Sequence, residues 1–220
     1  MKTKLICFDF DDTLTTVNSW SVLNTALGIT PTEDAKMYHA YKVGTLSYQD
    51  RMDKISAHYR EHGLATKETI EHILHTIALR PDAKYVIQSL QNRGYAVAIV
   101  SGSFASGVHY HAVRLGIPYV YAGTRLHYDS EGNFVALESA GHESDIKEQR
   151  LRELCTKFGI AVADCAYIGN SANNIALFRV AGEGICFSDS TDYIKAEASI
   201  FINSLRDLLT LYPESNPAVQ

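Results

Sequence analysis

The chain has 220 residues, of which 46% are hydrophobic and 20% are charged, and its formal net charge is -5. This is the composition of an ordinary globular protein, and its mild acidity gives no reason to expect nucleic acid as a partner. A membrane span is not expected, because no run approaches about 18 consecutive apolar residues. The length predicts one large domain or a domain that carries an insertion.

The N-terminal segment and the cysteines predict a cytoplasmic protein. The apolar run after Lys4 is interrupted by Asp9, too early for a signal peptide. Four cysteines form no CxxC pair: Cys7, Cys155, Cys165 and Cys186. We expect these thiols to be buried and reduced.

The first predicted strand ends in a cluster of acids. Leu5–Phe8 is an apolar run typical of a strand buried on both faces, and Asp9, Asp11 and Asp12 follow it. Because a buried charge is costly, the strand must stop at Asp9, at the sheet edge where α/β proteins bind ligands. Asp9 and Asp11 lie on the same side of an extended chain, so one can be a nucleophile and the other an acid and base. An acidic turn or a helix start would have the same sequence.

Helical periodicity follows this strand as far as Arg80. Apolar residues recur at helical spacing in four segments separated by short loops, which predicts a small four-helix bundle. Because this stretch interrupts an α/β pattern, we interpret residues 16–80 as a cap domain. The core domain would then comprise residues 1–15 and 81–220.

An α/β pattern resumes at Pro81. Further strands are expected over residues 95–100, 119–122, 166–168, 184–187 and 200–202. Helices between them predict a doubly wound, mainly parallel sheet. Turn residues 130–133 predict a hairpin whose two strands are residues 125–129 and 134–137. The capping-box spacing of Asp145 and Glu148 predicts a helix that begins at Asp145.

Polar residues follow two other predicted strands. Ser101 and Gly102 come directly after the second strand, where a hydroxyl and bare backbone amides can bind phosphate oxygens. Asn170, Asn173 and Asn174 follow the strand over residues 166–168. Plain turns rich in Ser, Gly and Asn would look the same.

The first acidic cluster, Asp9-Phe10-Asp11-Asp12-Thr13-Leu14, matches the DxDxT signature of the haloacid dehalogenase-like (HAD) phosphohydrolases. The order of segments, from Leu5 to about Tyr212, resembles the phosphoserine phosphatase branch of that superfamily. The resemblance implies a Rossmann-like α/β core and an inserted helical cap that closes over the active site.

The resemblance also implies roles for individual residues. Asp9 would attack phosphorus, Asp11 would protonate the leaving alcohol and then activate water, and Lys147 would neutralise the phosphoryl group. The transferred oxygens would be bound by Ser101, Gly102 and Asn173. A lysine on an exposed helix face is equally common, so the residue type of Lys147 alone decides nothing.

The fourth motif departs from the family pattern. Gly169-Asn170-Ser171-Ala172-Asn173-Asn174 stands where relatives have Gly-Asp-Gly-x-Asn-Asp, whose acids hold Mg²⁺. The expected magnesium ligands are therefore Asp9, Asp11, Asn170 and Asn174. Because Mg²⁺ prefers carboxylates, its binding is expected to be weak without substrate.

The expected substrate is a small phosphorylated metabolite. Phosphoserine phosphatases hold the amino acid with a Glu and an Arg, and by spacing these positions are Asn18 and Ile55. Arg51 and Lys54 are nearby cations out of register, whereas Tyr48 keeps the family's aromatic residue. Phosphoserine itself is therefore not favoured, and Asn18 and Tyr48 are expected to contact the substrate.

The first hypothesis is a Mg-dependent phosphomonoester hydrolase that acts through an aspartyl-phosphate. The alternative, motivated by Asn170 and Asn174, is a weakened or inactive relative that binds a phosphorylated ligand or a partner protein. The sequence does not separate hydrolysis from phosphoryl transfer to another acceptor, nor a monomer from a dimer.

Overall fold

The computed structural model describes residues 5–139, 141 and 143–214, so the ends of the predicted core domain lie outside the described residues. Within this part, seven strands form one sheet in the order β4-β3-β2-β1-β5-β6-β7. The strands are β1 (Leu5–Phe8), β2 (Ala96–Phe104), β3 (Tyr119–Tyr128), β4 (Phe134–Ser139), β5 (Cys165–Ile168), β6 (Glu183–Phe187) and β7 (Ile200–Ile202). Neighbouring strands are parallel except β3 and β4, which form the predicted antiparallel hairpin. The predicted fold class is confirmed.

Helices cover both faces of the sheet and fill the segment between β1 and β2. They are α1 (Ser19–Ala26), α2 (Pro31–Lys42), α3 (Tyr48–His62), α4 (Lys67–His75), α5 (Ala83–Asn92), α6 (Ala105–Leu115), α7 (Glu143–Phe158), α8 (Ile175–Val180), α9 (Asp192–Lys195) and α10 (Leu208–Leu211). The first four are the helices that the periodicity after β1 predicts. No helix of the described residues is long and apolar enough to cross a membrane.

β1 lies in the middle of the sheet and is buried on both faces. Ile6 and Phe8 enter an apolar cluster with α5 and α6, whereas Leu5 and Cys7 enter a separate cluster with α7 and α8. This explains why the strand is apolar at every position instead of alternating. All four cysteines are buried and free, as expected.

Helices α1 to α4 pack around an apolar cluster of their own, which also includes residues of the sheet. Phe104 of β2 and Phe134 and Leu137 of β4 belong to this cluster. The backbone amide of Leu137 donates to Ser56 Oγ on α3 at 3.0 Å, and Arg60 donates to the carbonyl of Val135 at 2.7 Å. The helices therefore cover the outer edge of β4, which would otherwise expose unpaired backbone groups.

The chain enters the helical segment after β1 and leaves it before α5, and these two crossings contact each other. Thr15 and Leu79 form an antiparallel bridge, and the Arg80 side chain donates to the carbonyls of Thr13 and Asp12, each at 2.9 Å. The backbone amide of Arg80 also donates to Leu14 at 2.8 Å. The loop that follows β1 and carries the acidic motif is thus held in place by Leu79 and Arg80.

Three predicted element boundaries are wrong. β2 continues past Ser101 to Phe104, because β3 runs beside it and Phe104 pairs with Thr124 after a shift of register. β3 is likewise one strand, Tyr119–Tyr128, where the sequence predicts two. Helix α7 begins at Glu143, two residues before the predicted start, so Asp145 lies inside the helix and does not cap it.

Candidate active site

One cavity, of about 400 Å³, opens at the carboxyl ends of β1, β2 and β5. Its floor is formed by side chains that follow these strands: Asp9, Asp11, Ser101, Ser103, Ser171 and Asn173. Its roof is formed by the helical segment and includes Asn18, Trp20, Asn24, Asp34, Tyr48 and Arg51. The cavity therefore lies between the sheet and the helices inserted after β1.

Asp9 is a buried carboxylate with a buried cation beside it. The Asp9 residue is 4% exposed and Lys147 is 0% exposed, and Lys147 Nζ lies 3.0 Å from Asp9 Oδ2. The backbone amide of Phe10 donates to Asp9 Oδ1 at 2.8 Å. Both oxygens of the carboxylate are thus partnered, as a charge removed from water requires.

Asn174 completes the surroundings of Lys147. Its amide oxygen accepts from Lys147 Nζ at 2.7 Å. The Tyr167 hydroxyl lies 3.0 Å from the same oxygen and 2.8 Å from the carbonyl of Val100, to which it can also donate. The amide nitrogen of Asn174 donates to Ser171 Oγ at 2.9 Å. Gly169 allows this packing, because a Cβ there would lie 2.6 Å from Asn174 Cγ.

Asp11 is held by the first residue of α1. The backbone amide of Ser19 donates to Asp11 Oδ1 at 2.9 Å, and Ser19 Oγ donates to Asp11 Oδ2 at 2.8 Å. Burial raises the pKa of Asp11 to about 7, although the hydrogen bonds from Ser19 lower it. Nearby Asp9 raises it further. Both protonation states are therefore populated near neutral pH, as a group that gives and takes protons requires.

The asparagines of the fourth motif have different surroundings. Asn170 Oδ1 accepts from Ser190 Oγ, and Asn173 Oδ1 accepts from Ser171 Oγ. No group of three or more His, Cys, Asp or Glu side chains among the described residues could hold a metal ion. Mg²⁺ can be bound by one or two carboxylates together with substrate phosphate oxygens. The donors here, the Asp9 carboxylate and amide oxygens, fit Mg²⁺ in that partnership.

Most of the predicted site residues share the cavity. It is lined by Asp9, Asp11, Asn18, Tyr48, Ser101 and Asn173, and Lys147 lies directly behind Asp9. Gly102, Asn170 and Asn174 are absent from the lining, although Asn174 contacts Lys147. The carbonyl of Gly102 accepts from Thr124 Oγ1 at 2.8 Å. Asn18 caps α1 and donates to Asp12 at 3.2 Å.

Arg51 is the principal residue that sequence spacing misses. It lines the cavity and is 7% exposed, whereas Ile55 packs inside the helical cluster. Its guanidinium lies 5.4 Å from the Trp20 ring and 5.6 Å from the Tyr38 ring, and it forms a 3.1 Å ion pair with Asp34. The signal available in the sequence is a cation four residues before Ile55, on the face of a largely polar helix that carries its apolar residues.

Two buried donors in the roof of the cavity lack hydrogen-bond partners among the described residues. They are Arg51 Nε and Asn24 Nδ2. Asn24 is held in place because its amide oxygen accepts from the Tyr59 hydroxyl at 2.5 Å. A buried donor without an acceptor costs free energy, and both side chains belong to the lining of the cavity.

The comparisons with known proteins agree with this geometry. A haloacid dehalogenase-like hydrolase family model matches residues 3–182. The chain belongs to the haloacid dehalogenase-like hydrolases. The phosphoserine phosphatase of Methanocaldococcus jannaschii is 29% identical over 216 residues, which cover 94% of this chain and 97% of that protein. The probable phosphoserine phosphatase of Schizosaccharomyces pombe is 25% identical over 96% of this chain and 70% of its own length.

The solved structures lead to the same family. A structure described as a phospho-aspartyl intermediate analogue of phosphoserine phosphatase superposes with a TM-score of 0.80 and 29% identity. The superposition covers 96% of this chain and 99% of the chain of that structure. The protein is thus a HAD phosphatase similar to phosphoserine phosphatases, and the non-catalytic alternative raised by Asn170 and Asn174 receives no support.

The raised pKa of Asp11 predicts a pH-dependent stability. Its folded-state pKa of about 7 lies above the ordinary value of 3.8 for an aspartate, so ionisation of Asp11 favours unfolding as pH rises between these values. Asp11→Asn removes this effect. The variant should match the wild type in free energy of unfolding near pH 4 and exceed it by on the order of 2–4 kcal/mol above neutral pH. Urea denaturation across pH measures the difference, and Asp189→Asn, at an exposed carboxylate, is the control. A difference that is the same at every pH would contradict the prediction.

Proposed function

We propose that this protein hydrolyses a small phosphomonoester through a covalent aspartyl-phosphate on Asp9. The observation that carries the proposal is the pairing of Asp9 with buried Lys147 at 3.0 Å, beside an Asp11 whose pKa is raised to about 7. The solved relative described as a phospho-aspartyl intermediate analogue supports the same intermediate.

The chemistry needs two steps, and both use residues of the cavity floor. In the first, an Asp9 oxygen forms a bond to phosphorus as the bond to the leaving oxygen breaks, and Asp11 gives that oxygen its proton. In the second, water attacks phosphorus, Asp11 takes a proton from it, and the bond between Asp9 and phosphorus breaks. The products are an alcohol and inorganic phosphate.

The remaining floor residues would bind the transferred oxygens. Ser101 and Asn173 line the cavity, and with the Gly102 amide they are our candidates for hydrogen bonds to the phosphoryl group. Lys147 would compensate the charge on Asp9 and on the phosphoryl group. Such preorganised charges and donors stabilise the transition state of phosphoryl transfer.

Magnesium is the cofactor we propose, in keeping with the family. Asp9 and Asn170 would hold it together with phosphate oxygens, because Asn170 Oδ1 keeps a lone pair beside its contact with Ser190. Asn174, predicted as a ligand from the sequence, would act through Lys147 instead, since its oxygen already accepts from Lys147 Nζ at 2.7 Å. Asp11, also predicted as a ligand from the sequence, would serve as the acid instead, because its carboxyl oxygens already accept from Ser19. When bound, Mg²⁺ would offset the negative charge of the phosphoryl group.

We further propose that residues 16–80 act as the cap of this active site. They supply the cavity roof, which would exclude bulk water and select the leaving group. Because the β3–β4 hairpin packs in the apolar cluster of these helices, any movement of the cap would involve the hairpin as well.

The roof favours a leaving group with a carboxylate. The side chains of Arg51 and Asn24 line the cavity and could donate to acceptor oxygens, and Asp34 could accept from an ammonium or hydroxyl group. We therefore propose a phosphorylated amino acid or hydroxy acid as substrate. Since Arg51 lies in the cavity, Ile55 at the family's Arg position no longer argues against phosphoserine.

Asp9→Asn should abolish turnover, because it removes the charge of the nucleophile with little change in volume. It should also lower the free energy of unfolding, because buried Lys147 loses its counter-ion, so thermal unfolding must first show that the variant is folded at the assay temperature. Phosphate release from phosphoserine and other phosphorylated metabolites measures activity, and acid-stable labelling of the wild type by substrate phosphate should disappear in the variant. Turnover by Asp9→Asn at the wild-type rate would contradict the aspartyl-phosphate mechanism.

Arg51→Met should weaken binding of carboxylated substrates selectively. We expect KM for phosphoserine to rise by about 10-fold or more, since a charge-assisted hydrogen bond contributes about 1.5–3 kcal/mol. KM for phosphoethanolamine, which has no carboxylate to lose a contact, should change by less than about 3-fold, which corresponds to less than about 0.7 kcal/mol. Lys54→Met, at an exposed lysine of the same helix, is the matched control. Equal losses on both substrates would show that Arg51 does not recognise the carboxylate.

Mg²⁺ should bind poorly to the free protein and well in the presence of a phosphate analogue, because the analogue supplies negative oxygens. Asn170→Asp should tighten the binding of Mg²⁺ alone by on the order of 1–3 kcal/mol. Asn174→Asp should do so less, because its carboxylate would pair with Lys147. Calorimetric titration of the wild type and both variants, with and without the analogue, measures this. If Asn170→Asp does not tighten Mg²⁺, Asn170 is not a ligand.

A further inference from the structure

We propose that Ser19 and Ser103 are positioning residues for Asp11, and that they orient it only while helix α1 is seated on β2. This inference rests on the proposed role of Asp11 as the acid of the phosphatase reaction. It concerns two hydroxyls that no sequence motif marks, one on the helical segment and one on the sheet.

Ser19 controls both oxygens of the Asp11 carboxyl group. Its backbone amide contacts Oδ1 at 2.9 Å and its hydroxyl contacts Oδ2 at 2.8 Å. Two donors from one residue fix the plane of the carboxyl group as well as its position. Ser19 is the first residue of α1, where the backbone amide has no partner within the helix and is available to an acid.

Ser103 orients the hydroxyl of Ser19. The two Oγ atoms are 2.6 Å apart, and Ser19 and Ser103 are only 1% and 3% exposed. A serine hydroxyl has one proton, so while Ser19 donates to Asp11, Ser103 is the donor to Ser19. A side-chain hydrogen bond from Ser103 also acts on Asp11 itself and lowers its pKa. The amide of Ser103 also donates to Ser101 Oγ at 3.2 Å. The chain of contacts thus joins the proposed phosphate-binding serine to the acid.

The next residues along the two elements hold this contact in place. The rings of Trp20 and Phe104 lie 4.3 Å apart, and Phe104 belongs to the apolar cluster of the helices. β2 extends past Ser101 and so carries Ser103 and Phe104 to α1. If α1 moved away from β2, Ser19 would lose its contacts with Asp11 and with Ser103 at the same time. The carboxyl group of Asp11 is therefore oriented by Ser19 only while α1 is packed against β2.

The proposal predicts a dependence on the leaving group. In the first step the proton of Asp11 passes to the leaving oxygen as its bond to phosphorus breaks, and Asp11 becomes a carboxylate that both donors of Ser19 stabilise. An alkoxide needs that proton, whereas dinitrophenolate leaves without it. A poorly oriented Asp11 should therefore slow alkyl phosphates and spare dinitrophenyl phosphate.

The experiment compares kcat/KM, which reports the first step, for phosphoserine and dinitrophenyl phosphate. Ser19→Ala keeps the backbone donor and should lower kcat/KM for the alkyl ester by about 10–100-fold, part of the usual contribution of a general acid. For the aryl ester the loss should be under about 3-fold, because the acid is not needed there. Ser19→Thr, which keeps a hydroxyl, should restore most of the activity. Ser103→Ala and Phe104→Leu should show the same selective loss at smaller size.

Thr32→Ala, at an exposed hydroxyl on α2, serves as the control, and thermal unfolding confirms that each variant is folded. Equal losses on both esters, or no loss on either, would overturn the positioning role while leaving the phosphatase function intact. A wild type that hydrolyses neither ester would instead overturn the proposed function and the inference with it.

Discussion

Lys147 is fully buried, and its ammonium group lies 3.0 Å from Asp9 and 2.7 Å from Asn174. Removing one partner would leave an uncompensated charge in the interior, which is strongly destabilising, so these side chains depend on one another. Each comes from a different element: Asp9 follows β1, Lys147 lies on α7 and Asn174 follows β5. The order of the sheet, with β5 beside β1, is the condition for this pairing. The proposed phosphate site lies beside this pairing.

The charges of Lys147, Asp9 and the neighbouring asparagines explain how a metal ion and a substrate would bind. The Lys147–Asp9 pair is neutral as a unit, and Asn170 and Asn174 add oxygens without charge. A phosphomonoester brings its own negative oxygens, so it would supply part of the charge that a divalent cation requires. Metal and substrate binding are then linked by reciprocal coupling, each favouring the other.

The cavity has two halves that are joined through the core of the protein. The sheet supplies the proposed nucleophile and acid, and the inserted helices supply Arg51 and the donors that hold Asp11. Phe104, packed among those helices, connects the halves. Selection of the leaving group and orientation of the acid would thus both depend on one contact surface, so that a substrate which does not fit the roof would also meet a poorly oriented acid.

The sequence by itself determined the elements and the reactive strand end. The apolar run before Asp9, the helical periodicity after it and the turn residues of the hairpin depend on near neighbours, and a linear pattern records them. Only the tertiary structure decided that Arg51 instead of Ile55 enters the cavity and that Ser19 meets Ser103. Those outcomes depend on how far a helix is rotated and where a strand ends beside its neighbour. Packing among residues distant in the chain sets both, and no local pattern contains that information.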